Sequence, residues 1–257
     1  MRARPPSGLS FCTCDTPTVL MSHWDADHWA AATLDSKLLQ LTWVVPRQSI
    51  SHTHTAFGNN ILRAGGRILV VGTAPPPICR STSGQILHLR RCTGADRNGS
   101  GLALIVEDTA SNRGWLLTGD AAYNQIPGPL PVDLAAVIVP HHGAAMGTAS
   151  IPPPPSGHQY SRLLYSFGPD NKHGRGTPPI QHPTQSAVSV HTAAGWTHNG
   201  WITPPGFATA NAPVLATATH KISHESGIAV GWTSTPPVNP LSGHVGSCSD
   251  VMPVTQV

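Results

Sequence analysis

A short apolar stretch, Val19-Leu20-Met21, runs straight into Ser22-His23-Trp24-Asp25-Ala26-Asp27-His28-Trp29, which places two imidazoles and two carboxylates within six residues. The apolar stretch reads as a buried strand. Side chains alternate along an extended segment, so His23, Asp25 and Asp27 leave the strand end on one side, with His28 following as the chain turns. Carboxylates packed this closely repel one another unless a cation lies among them, and imidazole together with carboxylate suits divalent ions such as zinc, manganese or iron. The simpler alternative is a polar loop that caps the next helix through Asp25 or Asp27.

Beyond this segment the chain alternates strands, helices and loops. Leu41 to Val45 is predicted as a strand closed by Pro46, and Ser51 caps a helix that carries Phe57, Ile61 and Leu62 on one face and stops at Gly65-Gly66. Arg67 to Val71 returns as a strand, Pro75-Pro76-Pro77 breaks the chain, and Gln85 to Arg91 alternates as another strand. Leu102 to Glu107 and Trp115 to Thr118 flank the turn Ser111-Asn112-Arg113-Gly114 as a hairpin. Leu134 to Val139, Arg162 to Phe167 and Ile228 to Trp232 complete the strands, and Thr184 to Ala194 has helical spacing with Pro183 in its first turn. The mixture predicts an α/β protein whose helices cover packed sheets, with the seven tryptophans as core and rim. The chain divides into a loose segment over 1–17, one domain over 18–233, and a Pro/Ser/Gly-rich tail over 234–257.

Composition narrows the classes. The 257 residues suffice for one substantial core, and 26 prolines and 25 glycines against only 11% charged residues imply many turns. A formal charge of +3 is too small to announce a nucleic-acid partner, although fifteen histidines add positive charge below neutral pH. Five scattered cysteines show no paired spacing, which points to reduced thiols. No apolar run reaches the length of a membrane span and no signal peptide is evident, so a cytoplasmic location is expected.

Polar residues recur at the ends of the predicted buried strands: Thr118-Gly119-Asp120 after one, Pro140-His141-His142-Gly143 after another. The order HxDxDH, then TGD, then PHHG resembles the metallo-β-lactamase fold hydrolases, and within them the hydrolase domain of the ComEC-like DNA-internalisation proteins. That group carries aspartate where most relatives have the second histidine, as Asp25 here. It also has an Asn-x-Ser element before a strand, matched by Asn98-Gly99-Ser100, in place of the usual third histidine. A late Gly-x-x-Asn is matched by Gly168 to Asn171, and Gly-His-Pro in part by His182-Pro183, after a lengthened connection that makes His173 a competitor for His182. The resemblance spans about residues 18 to 200.

The resemblance implies an αββα sandwich with one or two divalent ions, zinc or manganese, held by His23, Asp25, Asp27, His28, Asp120 and one of His141 or His142. Asp120 would bridge, offering one oxygen to each ion, and three carboxylates tilt the choice towards manganese. The implied reaction is hydrolysis by a metal-activated water, with Asp120 and Asp27 as catalytic groups, Asp27 accepting the water's proton. Asn98, Ser100, Asn171, Lys172 and His182 would contact the substrate, a phosphodiester that is either a small molecule or nucleic acid. Lactam, thioester or other ester hydrolysis and a non-catalytic binding role are the alternatives. Relatives have several strands ahead of HxDxDH, whereas about twenty residues precede it here. A sandwich missing N-terminal strands is therefore expected, its open edge covered by a second copy or another partner. A metal centre also makes a geometric demand. His23, Asp25, His28 and Asp120 must bring their ligand atoms within about 4 to 5 Å of one another, given metal bonds of roughly 2.0 to 2.3 Å.

Overall fold

The computed structural model describes residues 17–73, 78–81, 84–131, 133–157, 159–167, 180–198, 213–217, 232 and 254–256. In chain order the strands and α-helices are β1 (Thr18–Leu20), β2 (Thr42–Pro46), α1 (His52–Arg63), β3 (Arg67–Val71), β4 (Ile78–Ser81), β5 (Gln85–Arg91), β6 (Leu102–Asp108), β7 (Arg113–Leu117), β8 (Asp133–Ile138), β9 (Arg162–Tyr165), α2 (Gln185–Ala193), β10 (Val214–Ala216) and β11 (Val254–Gln256). The class is α/β. Among the described residues β1, β2 and β3 form a parallel sheet, and the other strands form a second sheet in the order β10-β9-β8-β7-β6-β5-β4-β11. Within the second sheet β7 to β10 run parallel, while β6, β5, β4 and β11 pair antiparallel. No helix among the described residues is long and apolar enough to cross a membrane.

The first sheet packs on α1. Trp43 and Val45 alternate along β2 towards that helix, and α1 answers with His54, Phe57, Gly58 and Ile61, a stripe at helical spacing. Leu62 lies one position past the stripe and is 55% exposed, so it is not on the buried face that the apolar spacing suggested. Phe57 stacks on Trp29 at 4.4 Å between ring centres and meets Trp43 edge-on at 5.3 Å. In this core the indole N–H groups find carbonyls: Trp43 donates to Leu38, Trp29 to Trp24 and Trp24 to Pro46. Trp24 and Trp29 thus anchor both ends of the Asp25 to His28 loop in this core.

The second core joins β6 to β10 with Trp196, and Val188 and Ala194 pack against it from α2 and its end. Thr184 caps α2 by accepting the Ala187 N–H, so Pro183 precedes the helix rather than sitting in its first turn. The hairpin of β6 and β7 forms, but Arg113 and Gly114, expected in its turn, pair with Asp108 and Glu107 as the start of β7, and β9 stops at Tyr165, short of Phe167. Strands β4, β10 and β11 were not foreseen. Of the expected strand at 228–232, only Trp232 lies within the described residues, stacked on Trp115 at 4.4 Å.

The two sheets meet at Ser22. Its carbonyl accepts the Leu102 N–H at 2.7 Å, and two glycines let the backbones close on it. A Cβ at Gly101 would stand 2.7 Å from the Ser22 carbonyl oxygen, and one at Gly119 would stand 2.6 Å from Ser22 Cβ. The loop after β1 is thereby pressed against the start of β6 and the carboxyl ends of β7 and β8, the edge where parallel α/β sheets gather their ligands.

Candidate metal centre

Five of the seven candidate ligands, His23, Asp27, His28, Asp120 and His142, fall there into groups with mutually close ligand atoms, and Asp25 and His141 each approach one member. Asp120 follows β7, and His141 and His142 follow β8 through a backbone that turns left-handed at three successive residues, with φ of 46°, 55° and 89° at His141, His142 and Gly143. Two consecutive non-glycine residues in that region are costly, and such strain gathers at functional sites. Its effect here is to aim two adjacent imidazoles into one cleft. Asp25 occupies the cap position of a short 3-10 turn, Ala26–His28, but its side chain makes no cap hydrogen bond. The carboxylate turns instead to His23 and to the guanidinium of Arg97.

The distances fall into two sets that meet at Asp120. Its Oδ2 lies 3.5 Å from His23 Nε2 and 3.7 Å from His141 Nε2, and Asp25 Oδ2 is 3.4 Å from the same His23 nitrogen. Its Oδ1 lies 3.3 Å from His28 Nε2, and Asp27 Oδ2 is 3.7 Å from that nitrogen and 3.0 Å from His142 Nε2. Donor atoms around a tetrahedral ion with bonds of about 2.1 Å stand about 3.4 Å apart, so most of these spacings are those of ligands. In the groups His23, His28, Asp120 and Asp27, His28, His142 all ligand atoms lie within 4.8 Å of one another.

Three of the four imidazoles are tied by their other nitrogen to an oxygen. Ser22 Oγ sits 3.1 Å from His23 Nδ1 and 2.9 Å from His28 Nδ1, and its two lone pairs suffice to accept from both rings when each carries its proton on Nδ1. His142 Nδ1 donates to the Ser166 carbonyl at 2.6 Å, whereas the Asn98 amide nitrogen, itself a donor, stands 3.5 Å from His141 Nδ1 and leaves that ring without a tie of this kind. Every Nε2 is left facing the carboxylates, the arrangement by which outer partners aim histidine ligands. Nε2 of His23 and of His28 are buried without a hydrogen bond, a costly state unless another partner takes them. The residues present fit a divalent metal.

Electrostatics match this geometry. Burial, reinforced by the neighbouring His28, pushes His23 down to about 4, keeping it neutral as a ligand must be. Burial alone would raise Asp120 and Asp27, but His28 on the first and His142 on the second hold both below the usual carboxylate range. Burial also opposes charge on His142, yet the Asp27 hydrogen bond lifts it to about 8.

The remaining candidates divide. His182 is buried with its ring 5.6 Å from that of His141, and Asn98 touches His141 directly. The Ser100 hydroxyl accepts from Gln48 Nε2 at 2.9 Å and so helps hold the loop. Asn171, Lys172 and His173 lie outside the described residues. Sequence reasoning missed Ser22, Gln48 and Arg97. Position next to His23 and to Asn98 was the available signal for Ser22 and Arg97, and Gln48 had none. Comparison with known protein families, with curated proteins and with solved structures finds no match.

Two outcomes follow from this arrangement. Ser22→Ala keeps the Cβ that Gly119 accommodates but frees both imidazoles, so metal affinity should fall by about 10- to 100-fold, the usual cost of losing an outer partner. Calorimetric titration with Mn²⁺ checks it. The second concerns chelated, metal-free protein. His23 and His191, a buried residue of α2, sit near 4 against an ordinary 6.5, so the unfolded chain binds more protons between those values. Stability is then lost as pH falls from 6.5 to 4. His142, at about 8, contributes stability that is full below 6.5 and lost as pH rises through 8. Each group changes stability by up to about 1.4 kcal/mol per pH unit. Thermal melts should therefore peak near pH 6.5, and His142→Asn should remove the alkaline decline alone.

Proposed function

We propose that this protein is a metal-dependent hydrolase of the metallo-β-lactamase type, with an αββα arrangement, zinc or manganese at its centre and phosphodiesters as its substrates. One observation carries the reading: four imidazoles, three of them tied through Nδ1, present Nε2 to three carboxylates, one of which offers a separate oxygen to each half of the cluster. The HxDxDH, TGD and PHHG order supports it independently. Helices α1 and α2, each packed against a separate core, agree with the sandwich.

A pair of divalent ions, when bound, supplies a water acidic enough to ionise near neutral pH and positive charge for the attacked and departing oxygens. His23, Asp25, His141 and one oxygen of Asp120 would hold an inner ion, and Asp27, His28, His142 and the other oxygen an outer one. Of the two roles expected of Asp27, its low proton affinity favours ligand over proton acceptor. Asn98 and His182 line the side of His141, where a substrate oxygen can be received. The cation of Arg97 beside the ligand loop agrees with an anionic substrate.

A panel of a phosphodiester, a phosphomonoester, a β-lactam and a thioester, each with added Mn²⁺ or Zn²⁺ and with chelator, tests the proposal. Metal-dependent turnover highest on the phosphodiester is the expected result. Turnover highest on the lactam or thioester moves the substrate class, and bound metal without turnover on any of them supports the non-catalytic alternative.

A further inference from the structure

We infer that Arg97 and Gln48 are positioning residues that present Asp25 to the inner ion through one oxygen; the inference rests on the metal-centre reading above. Arg97 lies 72 residues from Asp25 in sequence, yet its guanidinium ion-pairs with Asp25 Oδ1. Asp25 Oδ2 is left 3.4 Å from His23 Nε2. Among the described residues no other side chain hydrogen-bonds this carboxylate, which is about one-third exposed at 35% and otherwise free to rotate. A guanidinium on Oδ1 stops the group from chelating through both oxygens and fixes which one faces the centre.

Gln48 sets the position of Arg97. It follows β2, accepts the Trp24 N–H at 3.3 Å, and donates its two amide hydrogens to the Arg97 carbonyl at 2.5 Å and to Ser100 Oγ at 2.9 Å. One side chain thus uses both donors and its acceptor to join the end of β2, the His23 to His28 loop and the Arg97 to Ser100 loop. A parallel strap supports it: Arg91 donates to the carbonyls of Arg47 and Gly101 at 2.7 and 3.2 Å. The positive charge of Arg97 opposes a nearby cation, but its side chain is 36% exposed and screened by solvent. Fixing the carboxylate is the larger effect.

The test is calorimetric titration of the full chain with Mn²⁺ for wild type, Arg97→Ala, Arg97→Lys, Gln48→Ala, Asp25→Asn and the double variant Asp25→Asn/Arg97→Ala. Arg97→Ala should weaken binding by about 10- to 100-fold, as loss of an outer partner does. Arg97→Lys, which retains one charged donor, should recover most of it, and Gln48→Ala should move in the same direction as Arg97→Ala. The double variant should bind no more weakly than Asp25→Asn, because a residue acting through Asp25 has nothing to act on once that carboxylate is gone. Should Arg97→Ala fail to fold, Arg97→Gln carries the same comparison. Wild-type affinity in the Arg97 variant, tighter binding, or full additivity in the double variant overturns the inference and leaves the metal centre standing. A wild type that binds no Mn²⁺ overturns both.

Discussion

Asp120→Asn is expected to bind less than one ion per chain under conditions that saturate the wild type, and to lose at least about 100-fold in turnover, more than the loss of an outer partner alone. The substitution keeps size and shape, so its effect isolates charge. Asp120 is 5% exposed, and its two oxygens face imidazoles of different halves of the cluster, Oδ1 towards His28 and Oδ2 towards His23 and His141. An amide has a single oxygen and no negative charge, so one half of the cluster loses its ligand and the other keeps only a weak, neutral one. If Asp120 merely closed the turn after β7, asparagine would serve equally, and metal content and turnover would match the wild type. Elemental analysis after dialysis, with phosphodiester turnover on the same samples, separates the two.

Gly119→Ala should be the most damaging change for the fold around the centre. Gly119 has φ of 57°, a conformation costing an L-residue roughly 1–2 kcal/mol, and its added methyl would lie 2.6 Å from Ser22 Cβ. The methyl cannot be accommodated by a side-chain rotation, because Ser22 is held by the Leu102 N–H and by two imidazoles. Either the loop after β1 moves away or Asp120 does. We expect about 2–4 kcal/mol of destabilisation, in the range of overpacked sites with added backbone strain, together with loss of Mn²⁺ binding. Urea unfolding of the metal-free protein measures the first and calorimetry the second. A midpoint unchanged from wild type would mean that the two sheets do not meet at Ser22 as described.

Legibility in the sequence followed the range over which each feature is determined. Period-two and period-three-to-four patterns found β2, α1, the β6–β7 hairpin and β8, because burial on one face imposes them locally. The short strands β4, β10 and β11, of three or four residues each, carry too little pattern to stand apart from the Pro- and Gly-rich chain around them, and exist by pairing with β5, β9 and β4. The candidate ligands were readable because their chemistry is concentrated in three short runs. Their supports were not: Gln48 and Arg97 take their roles from contacts between segments about fifty residues apart, and an amide after a strand says nothing of what it will touch. The choice between His141 and His142 was open in sequence. The left-handed backbone at both residues sends one imidazole to each oxygen-bearing side of the cluster.

The most direct measurement is anomalous diffraction from crystals grown with saturating Mn²⁺. Two peaks are predicted, roughly 3.5–4 Å apart as in paired-metal hydrolases. One should lie among His23, Asp25, His141 and Asp120 Oδ2, the other among Asp27, His28, His142 and Asp120 Oδ1. No anomalous density within this cluster at saturating Mn²⁺, with Zn²⁺ giving the same result, would contradict the metal-centre account.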